Sequence, residues 1–513
     1  MATLSVAAIL AENARRRPDK EALVEGDLRL TFAEVWRRAR AQAGALVGLD
    51  VRPGDRVALM APNTAEFPQA YYAVAAAGAV VVPVHLLLSA AEVEHVLRDS
   101  GATLLLCHPA QAETGAAAAR ATGVRMLTLG DESEFGRLAA DAEPLPSYVT
   151  RNADDPAVVF YTSGTTGVPK GAVLSHFNLV MNATVNAFDA NDIRPDDVAL
   201  GALPLFHAFG QTVSLNSTWR AGATLVLLPR FDAARAIELM VKEKVNTFHG
   251  VPTMFVALAA AAGAAEALPE LRVCVSGGAS LPVAVLERFE EVFGAKIYEG
   301  YGLSETSPAA SVNQPVFGAR PGTIGHPLWG VDVEIARAEA EDVVELLPAG
   351  ELGEVVVRGH NVFSGYLGRP EATAEALVDG WFRTGDLGTK DEDGFLRIVD
   401  RKKDVIIRGG YNVYPREVEE VLMRHPGIAQ VAVIGLPDEL HGEEVCAVVV
   451  RAPGTTPDAL PDAAGVTEWS KQHLGRHKYP RRVEFADELP LGPSMKVLKR
   501  ELRVTYTDHR GPR

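Results

Sequence analysis

Residues Phe160–Gly171 read FYTSGTTGVPKG, and an apolar run, Ala157-Val158-Val159-Phe160, leads into them. The segment carries four Ser/Thr hydroxyls, three glycines and one lysine, with a proline just before the lysine. Such a composition suits a loop that wraps an anion. Glycines let backbone N–H groups converge at little steric cost, hydroxyls donate hydrogen bonds, and a lysine adds positive charge. The anion this favours is a polyphosphate. The spacing is not that of the P-loop, G-x-x-x-x-G-K-[ST], because Gly164 and Gly167 precede Lys170, which Gly171 follows. Taken alone, a Gly/Ser/Thr-rich stretch is more often a flexible connector. Its weight therefore depends on what surrounds it.

The surroundings are those of a large globular protein. A chain of 513 residues can bury several cores and amounts to about three or four domains' worth of length. Hydrophobic content of 47% with 23% charged residues is ordinary for a globular enzyme. The net charge of −16 argues against holding nucleic acid through the overall field. Residues 401–513 carry 18 Lys and Arg against 16 Asp and Glu, a net of +2, so the preceding 400 residues carry −18. A less acidic C-terminal part could more easily receive a multiply charged ligand. Cys107, Cys274 and Cys446 are widely separated, with neither metal nor disulfide spacing, which fits a reducing cytoplasm. The N-terminal residues lack the basic start and apolar core of a secretory signal. Phe67 to Ala91 contains no Asp, Glu, Lys or Arg, but Pro68, Gln69, Gly78, Pro83 and His85 argue against a transmembrane segment. The stretch reads as a buried helix followed by a buried strand, Ala79–Val84.

Outward from the loop, apolar strands alternate with amphipathic helices. Strands are expected at Arg56–Met60, Leu104–Cys107, Val124–Leu129, Val198–Ala202, Ala223–Leu228 and Val273–Ser276. A hairpin is expected around Glu25-Gly26-Asp27, and a helix from Thr31, whose spacing to Glu34 is that of a capping box. This alternation predicts layered α/β sheets. Residues 130–155, acidic and proline-containing, read as a loop. From about 323 to 398 shorter strands with Gly and Pro turns predict a small β subdomain. Asp400-Arg401-Lys402-Lys403-Asp404 reads as a solvated linker between an N-terminal domain, 1–400, and a C-terminal α+β domain, 401–513. The latter is expected to hold helices Pro415–Arg424 and Val466–Leu474 and strands Val431–Ile434 and Val445–Val450.

The quoted loop, together with Tyr298-Glu299-Gly300-Tyr301-Gly302-Leu303-Ser304-Glu305-Thr306, Trp381-Phe382-Arg383-Thr384-Gly385-Asp386-Leu387 and Leu489–Lys496, resembles the motifs of the adenylate-forming superfamily, in family order. That superfamily includes acyl-CoA synthetases, aryl-CoA ligases, peptide-synthetase adenylation domains and firefly luciferase. The resemblance spans roughly residues 1–505. It implies a large α/β N-terminal domain and a small mobile C-terminal domain that rotates between two half-reactions.

Adenylate formation requires a carboxylate to attack the α-phosphorus of ATP while pyrophosphate leaves, so the site must neutralise phosphate charge, hold Mg²⁺ and fix the nucleoside. The resemblance assigns Thr162, Ser163, Gly164, Thr165, Thr166, Gly167 and Lys170 to the β- and γ-phosphates. It stacks Tyr301 on adenine, with Gly300 and Gly278 nearby, and places Ser304 at the α-phosphate. Many relatives have Thr at that position, and Ser keeps the hydroxyl. Glu305 would ligate Mg²⁺, a hard cation suited to carboxylate and substrate oxygens. Asp386 and Arg401 would hold the ribose. Lys496 would reach the carboxylate and α-phosphate; relatives usually have glycine before it where this chain has Met495, and a positive φ there would strain methionine. Gly409, Gly410 and Tyr411 would line the CoA tunnel, with Lys403 at the hinge. His207 would gate the acyl site, whose lining includes Gln211, Met254, Ser276, Gly277, Ala279 and Gly302.

The expected reaction is ATP-dependent acyl-CoA synthesis from a small-molecule carboxylic acid, ATP and CoA, in the cytoplasm, with room for a homodimer. No cation stands in the acyl-pocket stretches. An unpaired second carboxylate would be costly to bury there, which tilts the reading toward a medium- or long-chain fatty acid. An aryl-acid or malonate CoA ligase, an acyl-AMP ligase that loads a carrier protein, and a non-catalytic nucleotide-binding relative are the alternatives.

Overall fold

The computed structural model describes residues 2–162, 169–452, 462–492 and 497–507. Two parallel-rich sheets form its larger part. The first has six strands in the order Arg125–Thr128, Leu104–Cys107, Arg56–Met60, Val80–Pro83, Pro156–Thr162 and Lys170–Ser175. The first five are parallel and the last closes an antiparallel hairpin. The second has nine strands, centred on the parallel run Ile297–Gly302, Val273–Ser276, Thr247–Gly250, Val198–Gly201 and Thr224–Leu227.

One apolar core joins residues of both sheets, including Val57, Leu59, Leu106, Leu225 and Val275. Continuous Val/Leu runs are what strands covered on both faces require. The charge-free stretch is explained by burial within this core. Helix Glu66–Ala76 has every residue from Phe67 to Ala76 buried, and the strand after it, Val80–Pro83, is buried throughout. Among the described residues no helix is long and apolar enough to cross a membrane.

Thr31 caps helix Phe32–Gly48 as its spacing predicts: its side chain accepts from the Glu34 amide, and the Glu34 carboxylate accepts from the Thr31 amide at 2.8 Å. The expected loop at 130–155 is partly helical instead. Glu134–Asp141 forms a helix because Ser133 caps it, accepting from the Gly136 amide at 3.0 Å, while Phe135 and Ala139 bury one face.

A five-stranded antiparallel sheet follows, built from Val331–Ala336, Gly353–Gly359, Leu377–Val378, Trp381–Lys390 and Leu396–Arg401. His326–Pro327 lies outside it, at the edge of the nine-stranded sheet. A fourth sheet, including Ile428–Asp438 and Gly442–Arg451, has its own core of Ile406, Val418, Leu422, Val433, Val445 and Val466. The charged run at 400–404 is not uniformly solvated. Asp400 is buried, accepting from the backbone amides of Arg401 and Arg416 at 2.8 and 2.9 Å, and only the short turn Lys402–Asp404 leads away.

Candidate active site

The hairpin Pro156–Thr162/Lys170–Ser175 carries its pairing up to Thr162 and Lys170, two described residues that flank the phosphate-loop candidate. Within it, Ser163, Gly164, Thr165, Thr166 and Gly167 lie outside the described residues, as do Met495 and Lys496. At the base, Glu305 is buried on the short turn Ser304–Thr306. Its Oε1 accepts from Thr162 Oγ1 at 3.4 Å and from Tyr366 Oη at 2.9 Å. Lys170 Nζ lies 5.2 Å from the Tyr366 ring centroid, within cation–π range. Burial and the neighbouring Glu305 push the Tyr366 hydroxyl pKa well up, so it remains a donor.

Tyr366 carries no sequence signal. The fold delivers it, because residues 364–367 run beside the hairpin: the Leu367 amide donates to Gly171 O at 2.8 Å and the Val173 amide to Gly365 O at 3.0 Å. Both side-chain bonds to Glu305 fall on Oε1, leaving Oε2 without a hydrogen bond among the described residues. A buried carboxylate with one oxygen oriented and the other open fits a hard cation such as Mg²⁺.

A second carboxylate stands at the junction of two sheets. Asp386 is buried, accepts from Tyr301 Oη at 2.6 Å on Oδ2, and pairs with Arg401 Nε at 3.3 Å on Oδ1. Asp386 and Arg401 are direct partners across the antiparallel strands Trp381–Lys390 and Leu396–Arg401. The turn before Asp386 is braced by Glu354, whose Oε1 accepts from the Gly385 amide at 3.0 Å while Oε2 takes Arg383 Nη2 at 2.6 Å. Tyr301 and Glu305 leave one strand end four residues apart, so a single turn serves both carboxylates. Gly302 must be glycine there, since a Cβ would sit 1.8 Å from Pro308 O.

The acyl-pocket candidates lie in two connected stretches. Half-buried His207 precedes Phe209–Asn216, a segment wound as a π-helix. A Cβ on Gly277 would meet the Phe209 ring at 3.1 Å, so this segment abuts the loop containing Ser276, Gly277, Gly278 and Ala279. Ser276 and Gln211 are 0% exposed, and Ser276 Oγ and Gln211 Oε1 lack hydrogen-bond partners among the described residues. Met254 instead packs in the core on the helix-covered face of the nine-stranded sheet, with Phe255 and Phe289.

Gly409 and Gly410 form a two-residue hairpin turn with φ of +56° and +84° between paired Arg408 and Tyr411. That turn type by itself accounts for both glycines. Tyr411 is exposed and packs on His477, with ring centroids 5.0 Å apart. Lys403 is exposed in the turn 402–404. A grouping of Asp438, His441 and Glu444 could resemble a metal site, yet its carboxylates are already engaged. Glu444 is gripped by Arg408 at 2.6 and 2.9 Å, and Asp438 accepts from the His441 amide at 2.8 Å.

Residues 10–367 match the model of the AMP-binding enzyme family, and residues 417–496 match that of the AMP-binding enzyme C-terminal domain. The chain is 41% identical over 496 residues to a feruloyl-CoA synthase of Amycolatopsis sp, covering 96% of this chain and 97% of that protein. It is 35% identical to a long-chain-fatty-acid–CoA ligase of Bacillus subtilis (strain 168), over 98% of this chain and 94% of the relative. Among solved structures it resembles ATP-bound MatB from Rhodopseudomonas palustris, with a TM-score of 0.89 and 34% identity over 98% of this chain and 99% of that one.

Proposed function

The chain belongs to the AMP-binding enzyme family and is an acid–thiol ligase of the CoA ligase type with ATP and CoA as substrates; from that premise we propose that it activates a monocarboxylic acid in two steps at the Glu305/Asp386 turn. In the first, a carboxylate oxygen bonds to the α-phosphorus of ATP and the bond to pyrophosphate breaks. In the second, the CoA thiol attacks the acyl carbonyl and AMP leaves.

The arrangement of the two buried carboxylates carries this reading. Glu305, held by Thr162 and Tyr366, lies at the paired end of the Pro156–Thr162/Lys170–Ser175 hairpin, and Asp386, held by Tyr301 and Arg401, is preset to accept ribose hydroxyls. Mg²⁺ bound through Glu305 would offset phosphate charge. Lys170 adds positive charge beside Tyr366, and Ser304 offers its hydroxyl to the α-phosphate. Thr162 and residues 163–167 cradle the β- and γ-phosphates. Fixed donors and charges of this kind act on the transition state without reorganising.

Lys496 supplies the remaining cation to the carboxylate. In this reading the chain divides at 400/401, and the part beyond turns about Lys403 to bring Gly409, Gly410 and Tyr411 to the CoA thiol. The separate core of the 406–485 sheet supports that division. His207 gates the acyl site. A cytoplasmic setting is consistent with three free, buried cysteines.

The acid has no second charge, since the stretches around His207, Gln211 and Ser276 contain no cation; fatty and aromatic acids both meet that condition. The relatives named for feruloyl-CoA and for long-chain fatty acids fall within it. CoA-dependent AMP release across a panel of fatty and aromatic acids tests the proposal. A panel inert with ATP and Mg²⁺ would sink it, and activity only when a phosphopantetheinyl carrier protein replaces CoA would reassign the acceptor.

A further inference from the structure

His249 lies near the carboxyl end of the parallel strand Thr247–Gly250, is 0% exposed, and has no hydrogen-bond partner on either ring nitrogen among the described residues. Fully buried polar atoms are nearly always satisfied, and a histidine with both nitrogens orphaned requires an explanation. Ligands of open parallel sheets bind beyond the carboxyl ends of the strands, where His249 stands.

Strand register fixes which way it faces. His249 is the direct partner of Val275, and Val275 of Tyr298, so these three side chains share one face of the sheet. The alternating residues Phe248, Cys274 and Ile297 point the other way, into the helix-covered core. On the His249 side, Val275 shares a core with Leu215 of the segment Phe209–Asn216, which packs on strands Thr247–Gly250 and Val198–Gly201. That segment contributes a second orphan. Gln211 donates Nε2 to Leu205 O at 3.3 Å and leaves Oε1 buried and without a partner among the described residues. The two groups do not satisfy each other.

The chemistry these atoms can receive is narrow. Burial holds the His249 pKa down at about 4, so the ring is neutral near pH 7 and offers one N–H donor and one acceptor nitrogen. Gln211 adds an acceptor. The cation of the neighbouring helix, Arg220, is committed elsewhere, donating to Thr184 Oγ1 at 3.0 Å and lying 5.0 Å from the Phe188 ring centroid. A hydroxyl both donates and accepts and carries no charge; a carboxylate would lack a counter-ion and a methyl group would leave the orphans unpaired.

We propose that His249, with Gln211, is the specificity-determining pair that receives a neutral hydroxyl at the far end of the acid, so that the preferred substrates are hydroxylated acids. The proposal rests on the CoA ligase reading and refines the same site.

The test compares kcat/KM of AMP release for 4-hydroxycinnamate against cinnamate, and for an ω-hydroxyalkanoate against the matching alkanoate, in wild type, His249→Leu and His249→Gln. Pockets that hydrogen-bond a substrate hydroxyl can discriminate against its absence by up to about 10⁴–10⁵-fold. We expect wild type to favour one hydroxylated member by at least about 100-fold, and the pair showing the preference identifies the scaffold as aromatic or aliphatic. His249→Leu should bring that ratio to about 1, largely by gaining the unhydroxylated acid, and His249→Gln should retain part of it. Wild-type turnover without hydroxyl preference, or a His249→Leu variant with the same ratio, would overturn the proposal while leaving the ligase reading intact. Absence of turnover with every acid would overturn both.

Discussion

Tyr301 donates its hydroxyl to Asp386 at 2.6 Å, linking a strand end of the nine-stranded sheet to the middle of a strand in the small antiparallel sheet. Arg401 completes the arrangement at 3.3 Å from the opposite oxygen. The Asp386 carboxylate is thus held in a fixed orientation from both of its oxygens. Replacing it should weaken ATP use: Asp386→Ala is expected to raise KM for ATP by about 10- to 100-fold, since hydrogen bonds to charged groups contribute ~1.5–3 kcal/mol, with a smaller rise for Tyr301→Phe. The ATP dependence of pyrophosphate release reads this directly, and an unchanged KM in Asp386→Ala would remove Asp386 from the nucleotide site.

Tyr366 and Glu305 give a metal-specific expectation. Partners that orient a metal ligand typically affect affinity or activity by about 10–100-fold. Tyr366→Phe should therefore shift the Mg²⁺ titration of pyrophosphate release upward by about tenfold, and Glu305→Gln should shift it further. Identical Mg²⁺ midpoints in wild type and both variants would dissociate Glu305 from the metal.

The ion pair Arg383–Glu354, with side chains 7% and 4% exposed, braces the turn that presents Asp386. Breaking a buried pair by removing one partner costs about 3–5 kcal/mol, because the remaining charge stays buried without compensation. Glu354→Ala should lose about that much stability in urea denaturation. A loss below ~1 kcal/mol would show that the pair relaxes into solvent.

Glu299 makes stability pH-dependent. Burial pushes its carboxyl up from 4.5 to about 7, opposed by the Arg416 guanidinium 3.9 Å away. The folded state therefore holds this proton more tightly than the unfolded chain. Its contribution to stability is fully present below pH 4.5 and is lost as pH rises through about 7. Part-buried His85 and buried His176 and His249, each lowered to about 4, act with the opposite sign but are common to both proteins compared. Glu299→Gln should gain stability relative to wild type as pH rises across this window, read by denaturation at several pH values. A constant difference would show that Glu299 does not titrate there.

Much of the architecture was legible in the chain. The strands Arg56–Met60, Leu104–Cys107 and Val273–Ser276 fall where apolar runs place them, and Thr31 caps its helix through the expected Glu34. The helix at Glu134–Asp141 is not legible in the sequence because surrounding proline and acidic residues mask its short apolar face of Phe135 and Ala139. Asp400 looked like part of a solvated charge run, but two backbone amides draw its carboxylate inward.

What the sequence determined by itself was local: strand and helix periods, caps, the glycine turn at 409–410, and the residue types at each nucleotide motif. These depend on neighbours a few positions apart, so pattern suffices. The tertiary structure decided which distant groups meet. Tyr366 reaches Glu305 because residues 364–367 lie along the loop-bearing hairpin, Glu354 reaches Gly385 across a sheet, and His249 is orphaned because strand register turns it toward a face that offers no partner among the described residues. Such pairings arise from sheet order and register, which set long-range contacts that no short stretch of sequence encodes.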